Sequence, residues 1–189
     1  MSAFSLPLET PRLTLRRLTP ADAPALSAYR SDPEVARYQG WQAPYSLEQA
    51  HELIAEMQSV TPGEPGCWLQ IAFALKTTGE LIGDCAFKRL SGDPRQAELG
   101  ITLAQAYQGQ GYAAEGLTCL INHLFDTFNL HRLCANIDPQ NAASANLLRR
   151  LGFRHEATHI ESLWLNGAYM DEAWYAILRR EWLLAHNGG

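Results

Sequence analysis

Hydrophobic and polar residues alternate along several short stretches of the chain, and a period of two is typical of half-buried β-strands. Residues 12–16, Arg-Leu-Thr-Leu-Arg, form the first such stretch. Three more follow at residues 68–75, 81–88 and 96–103, separated by short segments that contain Gly, Asp or Pro. Strands joined by such tight turns predict an antiparallel meander.

A period near 3.6 residues predicts the helices. In residues 113–128 the apolar side chains fall on one stripe, which indicates a long amphipathic helix that packs on the sheet. Two earlier helices begin at N-cap signals, one at Thr19 and one at Ser46, and they end near residues 31 and 59. A fourth, short helix ends near Leu151.

The last third of the chain adds further strands. Residues 131–137 predict one strand, and Asn166-Gly167, a strong type I′ turn signal, predicts a hairpin whose second strand ends near Leu178. The sequence contains no internal repeat, low-complexity stretch or linker. We therefore expect one mixed α+β domain that comprises residues 1–189.

The composition agrees with a single domain that has a sizeable core. The chain has 189 residues, 47% of them hydrophobic, and needs no disulfide or metal for stability. Its four cysteines are scattered, with no C-x-x-C pair, which favours reduced thiols in a cytoplasmic protein. No apolar run reaches the roughly 20 residues of a membrane helix, and the first residues lack the order of a signal peptide.

The net charge of the chain limits the classes of partner that it is expected to bind. A net charge of −5 gives no electrostatic attraction for nucleic acid, because such binding rests on neutralising phosphates with Lys and Arg. A mildly cationic acceptor fits better. The six histidines show no ligand spacing such as H-E-x-x-H, so we expect no metal site.

Residues 107–115 carry the clearest chemical signal. This segment, Tyr-Gln-Gly-Gln-Gly-Tyr-Ala-Ala-Glu, places two glycines immediately before the long helix. Unpaired amides at a helix N-terminus and the positive end of the helix dipole both favour an anion, and glycine allows close approach. We interpret the segment as a phosphate-binding loop.

The loop by itself is open to other interpretations. Gly109-x-Gly111-x-x-Ala114 also satisfies the dinucleotide fingerprint of a Rossmann fold. That fingerprint requires a parallel βαβ unit, whereas the preceding strands are predicted to be antiparallel, so the context disfavours NAD and FAD. The loop is also compatible with a helix start that binds no ligand.

A larger set of motifs points to one family. Gln108-x-x-Gly111-x-Ala113 resembles the pyrophosphate-binding signature of the GNAT superfamily of N-acetyltransferases, which use acetyl-CoA. Residues 97–103 look like the fourth strand of that family, and Asp138-x-x-Asn141-x-x-Ser144 and Leu151-Gly152-Phe153 follow in the family's order. Residues 8–16 and the hairpin at Asn166-Gly167 resemble the branch named for ribosomal-protein alanine N-acetyltransferases.

The resemblance implies a fold and a coenzyme site. The fold is a mostly antiparallel central sheet of about six to seven strands, whose fourth and fifth strands splay apart, flanked by about four helices. Acetyl-CoA, the acetyl donor, would bind in the splay. The residues implied in binding it are Ile101, Thr102 and Leu103 on the fourth strand, Gln108, Gly109, Gln110, Gly111, Tyr112 and Ala113 in the loop, and Asn141 and Ser144 on the other wall.

The reaction implied is attack by a primary amine on the thioester, where a preorganised N–H stabilises the developing oxyanion. Glu98 is our candidate general base, directly or through a water. A pair with an arginine or a role in orienting the chain explains Glu98 equally well. Glu161 and Asp171 on the last hairpin are alternatives that we rank lower.

Ser144 is the candidate proton donor to the leaving thiolate. Many relatives carry a tyrosine four residues before the glycine of Leu-Gly-Phe, but this chain has Leu148 there. A small residue that lets the coenzyme pack, or one that caps a helix, explains Ser144 nearly as well.

The acceptor is left open by the motifs. An α-amino group titrates near 8 and lysine near 10.4, so lysine costs roughly 3.5 kcal/mol more to deprotonate, and a protein N-terminal amine is favoured. A small amine, an aminoglycoside-like antibiotic, or a non-catalytic acyl-CoA-binding or sensor module are alternatives. Trp41, Tyr45, Trp164 and Tyr169 are candidates for lining the acceptor pocket, and we expect a monomer or a homodimer.

Overall fold

The structure is a computed structural model that describes residues 4–186. Within these residues one sheet of eight strands is flanked by six helices. The strands are β1 Leu8–Glu9, β2 Leu13–Arg17, β3 Leu69–Leu75, β4 Leu81–Arg89, β5 Gln96–Leu103, β6 Arg132–Ile137, β7 Arg154–Leu165 and β8 Ala168–Leu178. The helices are α1 Ala23–Arg30, α2 Pro33–Ala36, α3 Leu47–Ser59, α4 Tyr112–Phe128, α5 Ala142–Arg150 and α6 Arg179–His186.

The strand order in the sheet is β1-β2-β3-β4-β5-β6-β8-β7. All neighbours pair antiparallel except β5 and β6, which are parallel. The predicted mixed α+β fold with a mostly antiparallel sheet is therefore confirmed. The predicted counts were too low because the two-residue β1, the four-residue α2 and the C-terminal α6 carry little periodic signal.

Local sequence signals explain where several elements begin. At the start of α3 the Ser46 N–H donates to Gln49 Oε1 at 2.8 Å, and the Gln49 N–H donates to Ser46 Oγ at 3.1 Å, a complete capping box. Between β7 and β8, Asn166 and Gly167 have φ values of 52° and 85°, as a type I′ turn requires.

Helices cover both faces of the sheet. From α1, the Tyr29 hydroxyl donates to the Asp84 carboxylate of β4. The opposite face packs against α4, where a Cβ on Gly116 would lie 2.3 Å from the ring of Phe73. Only a glycine lets this helix approach the sheet so closely. On the same side Trp182 of α6 is fully buried and packs on Phe125.

The junction between β5 and β6 positions the site. Only three residue pairs join these strands, and they are Gln96 with Arg132, Ala97 with Leu133 and Glu98 with Cys134. Beyond Glu98 the two strands no longer pair, although β5 continues to Leu103 and β6 to Ile137. The sheet therefore opens into a wedge on the C-terminal side of this junction.

Residues 4–186 contain no helix that is both long and apolar enough to cross a bilayer. In the same part of the chain, no group of three or more His, Cys, Asp or Glu residues is arranged to hold a metal ion. All four cysteines are free thiols.

Candidate active site

A cleft of about 630 Å³ lies between the end of β5, the loop before α4 and the start of α5, with α2 at its rim. Ten of the eleven predicted coenzyme-binding residues line it. They are Ile101, Thr102, Leu103, Gln108, Gly109, Gly111, Tyr112, Ala113, Asn141 and Ser144. The eleventh, Gln110, does not line the cleft, because its side-chain Nε2 turns back to donate to the Ala106 carbonyl at 2.7 Å.

Alternate residues of β5 direct their backbone groups to β4 on one edge and to the wedge on the other. The Ala104 N–H donates to the Ile82 carbonyl of β4. In an antiparallel ladder alternate residues bond to the same neighbour, so Thr102 and Gly100 also direct their backbone groups to β4. Of the three predicted strand residues, Thr102 is therefore the one whose amide is already used.

Ile101 and Leu103 direct their N–H and C=O groups to the opposite edge, beyond the last pair with β6, which joins Glu98 and Cys134. The Leu103 carbonyl accepts a hydrogen bond from Gln108 Nε2 at 3.0 Å on that edge. This contact ties the phosphate-binding loop to the end of β5. The free edge of β5 can thus pair with an extended ligand as if the ligand were another strand.

The loop before α4 has the backbone conformation that its glycines permit. Gly109 and Gly111 have φ values of 73° and 87°, in the left-handed region that L side chains rarely adopt. Gly111 is the N-cap of α4, and the first helical hydrogen bond runs from the Glu115 N–H to its carbonyl. The amides of Tyr112 and Ala113 therefore have no partner within the helix, which suits an anion.

Asn141 and Ser144 form the facing wall at the start of α5. Asn141 is the N-cap of this helix, and its Oδ1 accepts from the Ser144 N–H at 3.0 Å. The motif therefore has a structural role in capping the helix. The Ser144 side chain lines the cleft as well, which leaves its predicted role as a proton donor a prediction.

The rim of the cleft includes residues that the sequence motifs missed. Val35, Arg37 and Tyr38 come from α2 and the turn after it, and Arg150 comes from the end of α5. The signal for α2 was Asp32-Pro33, since aspartate is a good N-cap and proline is common at the first helical position. Asp32 Oδ1 does accept from the Glu34 N–H at 2.9 Å.

Glu98 does not line the cleft. It lies opposite Lys88 in the β4–β5 register, and Lys88 Nζ is 3.0 Å from Glu98 Oε2. The Lys88 ammonium also lies 4.6 Å from the centre of the Trp68 ring. Burial first, and then the charge of Glu98, raise the pKa of Cys134 to about 11, so this neighbouring thiol stays protonated. The ion pair that we weighed against catalysis is therefore present, with lysine as the partner.

Of the two alternative carboxylates, that of Asp171 on β8 binds the backbone of β7 at Glu161. The Glu161 N–H donates to Asp171 Oδ1 at 2.8 Å across the β7–β8 hairpin. Both residues lie on the part of the hairpin that is largely exposed, and neither lines the cleft. Nothing in their surroundings favours a catalytic role over a structural one.

The four aromatic candidates for the acceptor pocket do not form one pocket. Tyr45 is buried in the core with 8% exposure, and Trp41 stacks over the Arg30 guanidinium, 4.1 Å away. Trp164 and Tyr169 pack on each other near the hairpin turn and are 60% and 61% exposed. The expectation of a shared pocket was wrong, because the first pair packs with the core and the second is exposed on the surface of the β7–β8 hairpin.

Comparison with known proteins agrees with this geometry. The acetyltransferase (GNAT) domain family matches residues 12–154. A protein of Bacillus licheniformis named uncharacterized N-acetyltransferase p20 is 32% identical over 93% of this chain and 97% of its own length. The [ribosomal protein uS5]-alanine N-acetyltransferase of Escherichia coli is 34% identical over 54% of each chain.

A solved structure extends the similarity to the fold. The crystal structure of an acetyltransferase of the GNAT family from Bacillus anthracis superposes with a TM-score of 0.82, covers 93% of this chain and all of its own, and is 24% identical. The family match covers the β5 strand, the glycine loop and α5, which are the elements that build the cleft. The chain belongs to the GNAT acetyltransferase family.

Proposed function

We propose that the chain transfers the acetyl group of acetyl-CoA to a protein N-terminal α-amine, and that residues 1–189 act as one cytoplasmic acetyltransferase domain. The observation that carries the proposal is the single cleft that joins the free edge of β5 to the amides of the glycine loop. An extended pantetheine arm fits the free edge of β5, and a pyrophosphate fits the amides of the glycine loop. Coenzyme A has both groups in one molecule, which favours it over a dinucleotide.

Each wall of the cleft then has a role. The backbone of Ile101 and Leu103 binds the arm, and a β5 amide at this edge polarises the thioester carbonyl. The amides at Gly109, Gly111 and the first turn of α4 hold the pyrophosphate. Bound acetyl-CoA supplies the electrophilic carbonyl carbon, which the amine attacks as the C–S bond breaks. The nitrogen gives up one proton as the N–C bond forms; Ser144 donates its own proton to the departing thiolate sulfur and regains the one that the nitrogen released, so its hydroxyl is restored.

The engagement of Glu98 supports an acceptor that needs little help to lose its proton. The Glu98 carboxylate is 3.0 Å from Lys88 Nζ and does not line the cleft, so it is poorly placed to take a proton from the acceptor. An N-terminal α-amine is partly neutral at pH 7, whereas a lysine amine is about 2.5 pKa units more basic. The Escherichia coli relative is named for an alanine of ribosomal protein uS5 as its acceptor, which supports the same choice, because an alanine side chain carries no amine.

The experiment is to measure free thiol released from acetyl-CoA with matched acceptors. One peptide series carries a free N-terminus and no lysine, a second has the N-terminus blocked and one lysine, and a third arm uses polyamines and an aminoglycoside. We expect release with the first series only. Release with the third arm alone would assign the small-amine alternative, and coenzyme binding without release from any acceptor would assign a non-catalytic binding module.

Glu98→Gln and Lys88→Met separate a base from an ion pair. If Glu98 accepts the amine proton, Glu98→Gln lowers kcat by about tenfold or more with little change in the KM for acetyl-CoA, whereas Lys88→Met retains activity. If Glu98 serves only the pair with Lys88, the two variants lose the same activity. Steady-state kinetics from pH 6 to 9 distinguish these results.

A further inference from the structure

The segment between β1 and β2 is attached to the first turn of α4 by a compact set of hydrogen bonds. Three donors converge on the Glu115 carboxylate. The Arg12 Nε donates to Oε2 at 2.6 Å, and the Arg12 backbone N–H and the Thr10 hydroxyl donate to Oε1 at 2.8 Å and 2.6 Å. Residues more than 100 positions apart are thereby held together at the edge of the cleft.

The same arginine contacts two residues of the phosphate-binding loop, Gln110 and Tyr112, and lies beside Gly111 between them. Its Nη1 donates to the Gln110 carbonyl at 3.0 Å. A Cβ added at Gly111 would lie 3.3 Å from its Nη2. The guanidinium also lies 4.1 Å from the centre of the Tyr112 ring. Arg12 itself does not line the cleft.

The bond to Gln110 determines where the next amide points. The Gln110 carbonyl and the Gly111 N–H belong to one planar trans peptide, so they point in opposite directions. Arg12 holds the carbonyl on the outer side of the loop, and Gly111 lines the cleft on the inner side. The Gly111 N–H is therefore directed inward, toward the position of a bound phosphate.

Arg12 also compensates the negative charge of Glu115, which lies near the N-terminus of α4. Glu115 is in the first turn of α4, where a carboxylate stabilises the helix but repels a phosphate bound at its N-terminus. Burial raises the pKa of Glu115, but hydrogen bonds from Thr10 and Arg12 outweigh it and lower this pKa below its ordinary value. The carboxylate stays ionised, and the adjacent guanidinium compensates its charge.

We infer that Arg12 is a positioning residue for the pyrophosphate site: it orients the Gln110–Gly111 peptide and neutralises Glu115, so that coenzyme affinity depends on the segment before β2. This inference rests on the proposed function, because it assumes that coenzyme A binds at the loop. It adds a role for a residue of the segment between β1 and β2, which does not line the cleft.

The test compares two ligands on Arg12→Met. Binding of coenzyme A and of pantetheine is measured by calorimetry, and kcat/KM is measured with acetyl-CoA and with acetyl-pantetheine, which has the same thioester and arm but no pyrophosphate. We expect Arg12→Met to weaken coenzyme A on the order of tenfold to a hundredfold, the range for one hydrogen bond to a charged group. Pantetheine binding and acetyl-pantetheine turnover should stay within about twofold.

Two further variants complete the design. Lys76→Met removes the ion pair with Glu9, in which Lys76 Nζ is 2.8 Å from the carboxylate, and should leave both ligands unaffected. Arg12→Lys retains the charge but not the planar fork that reaches Glu115 and Gln110 together, so we expect it to keep most of the deficit.

The outcomes are distinct. Equal losses for both ligands in Arg12→Met would show a general structural defect and overturn the inference, as would an unchanged affinity for coenzyme A. Full affinity in Arg12→Lys would show that charge alone matters and overturn the positioning role. If the wild-type protein binds no coenzyme A, the proposed function itself fails and the inference falls with it; wild-type binding with normal Arg12→Met binding refutes the inference alone.

Discussion

Two substitutions at Gly111 separate the effect of a negative charge on coenzyme binding from the effect of added bulk. Aspartate and asparagine have nearly the same shape, but only aspartate is charged. The Gly111 φ of 87° is left-handed, a region that both Asn and Asp tolerate better than other L residues. Both substitutions place a Cβ 3.3 Å from Arg12 Nη2, which is the end of a flexible side chain. We therefore expect Gly111→Asn and Gly111→Asp to be destabilised equally, by roughly 1 kcal/mol.

The difference between the two variants should appear in coenzyme binding. A carboxylate about 6 Å from a phosphate charge costs about 3 kcal/mol at an effective dielectric constant near 20. Pairing of the new carboxylate with Arg12 recovers part of this. A net difference of about 2–3 kcal/mol corresponds to roughly 30-fold to 150-fold weaker coenzyme A binding in Gly111→Asp than in Gly111→Asn.

The assay is calorimetric titration with coenzyme A at two salt concentrations, with thermal unfolding of each variant as a check on folding. Because charge repulsion near a surface is screened by salt, the gap between the variants should narrow at high ionic strength. Equal affinities for the two variants, or a gap that salt does not change, would refute the assignment of Gly111 to the phosphate site.

Three further predictions concern stability. Asp84→Asn should lower the free energy of unfolding by about 3–5 kcal/mol in urea titrations, because it leaves the buried Arg30 guanidinium without its charge partner, 3.4 Å away. Gly116→Ala should cost about 1–3 kcal/mol by the same measurement, since its Cβ would lie 2.3 Å from the fully buried Phe73 ring. The pKa of Glu156 is lowered from 4.5 to about 2, chiefly by its hydrogen bond from Arg132. Burial raises this pKa, but a second hydrogen bond, from Arg154, lowers it further. The folded state therefore favours the ionised form, so Glu156→Gln should lose stability that the wild type has above pH 4.5 and gives up as the pH falls toward 2.

Each of these predictions has a matched control. Glu9→Gln removes an exposed ion pair with Lys76 and should leave the free energy of unfolding nearly unchanged, so an equally small loss from Asp84→Asn would contradict the buried-charge argument. Gly40→Ala adds a Cβ with no neighbour within 4 Å, so it should not lower the unfolding midpoint as Gly116→Ala does. Parallel acid-unfolding curves for the wild type and Glu156→Gln would rule out the contribution of Glu156.

Local patterns predicted most of the fold. The apolar stripe of α4 is observed in the buried side chains Leu117, Leu120, Ile121, Leu124 and Phe125. The type I′ turn at Asn166-Gly167 and the cap at Ser46 also rest on interactions within a few residues. Such features are predictable because the sequence separation of the interacting groups is short.

Contacts between distant parts of the chain could not be predicted from patterns in the sequence. Glu98 was placed correctly on its strand, but its partner Lys88 depends on the β4–β5 register. The contact of Arg12 with Glu115 joins residues 103 positions apart, and no periodicity indicates it. The aromatic candidates failed for a related reason: Tyr45 and Trp164 have similar side chains, but only tertiary packing decides which of them is buried.

The short junction between β5 and β6 has a consequence for solubility. An unpaired strand edge normally recruits other chains and leads to aggregation. Here the unpaired edge of β5 lies inside the sheet, flanked by the glycine loop and by α5, so a second polypeptide in a sheet of its own has no room to approach it. The unpaired N–H and C=O groups of β5 are therefore accessible to a thin, extended ligand but protected from pairing with the edge strand of another protein.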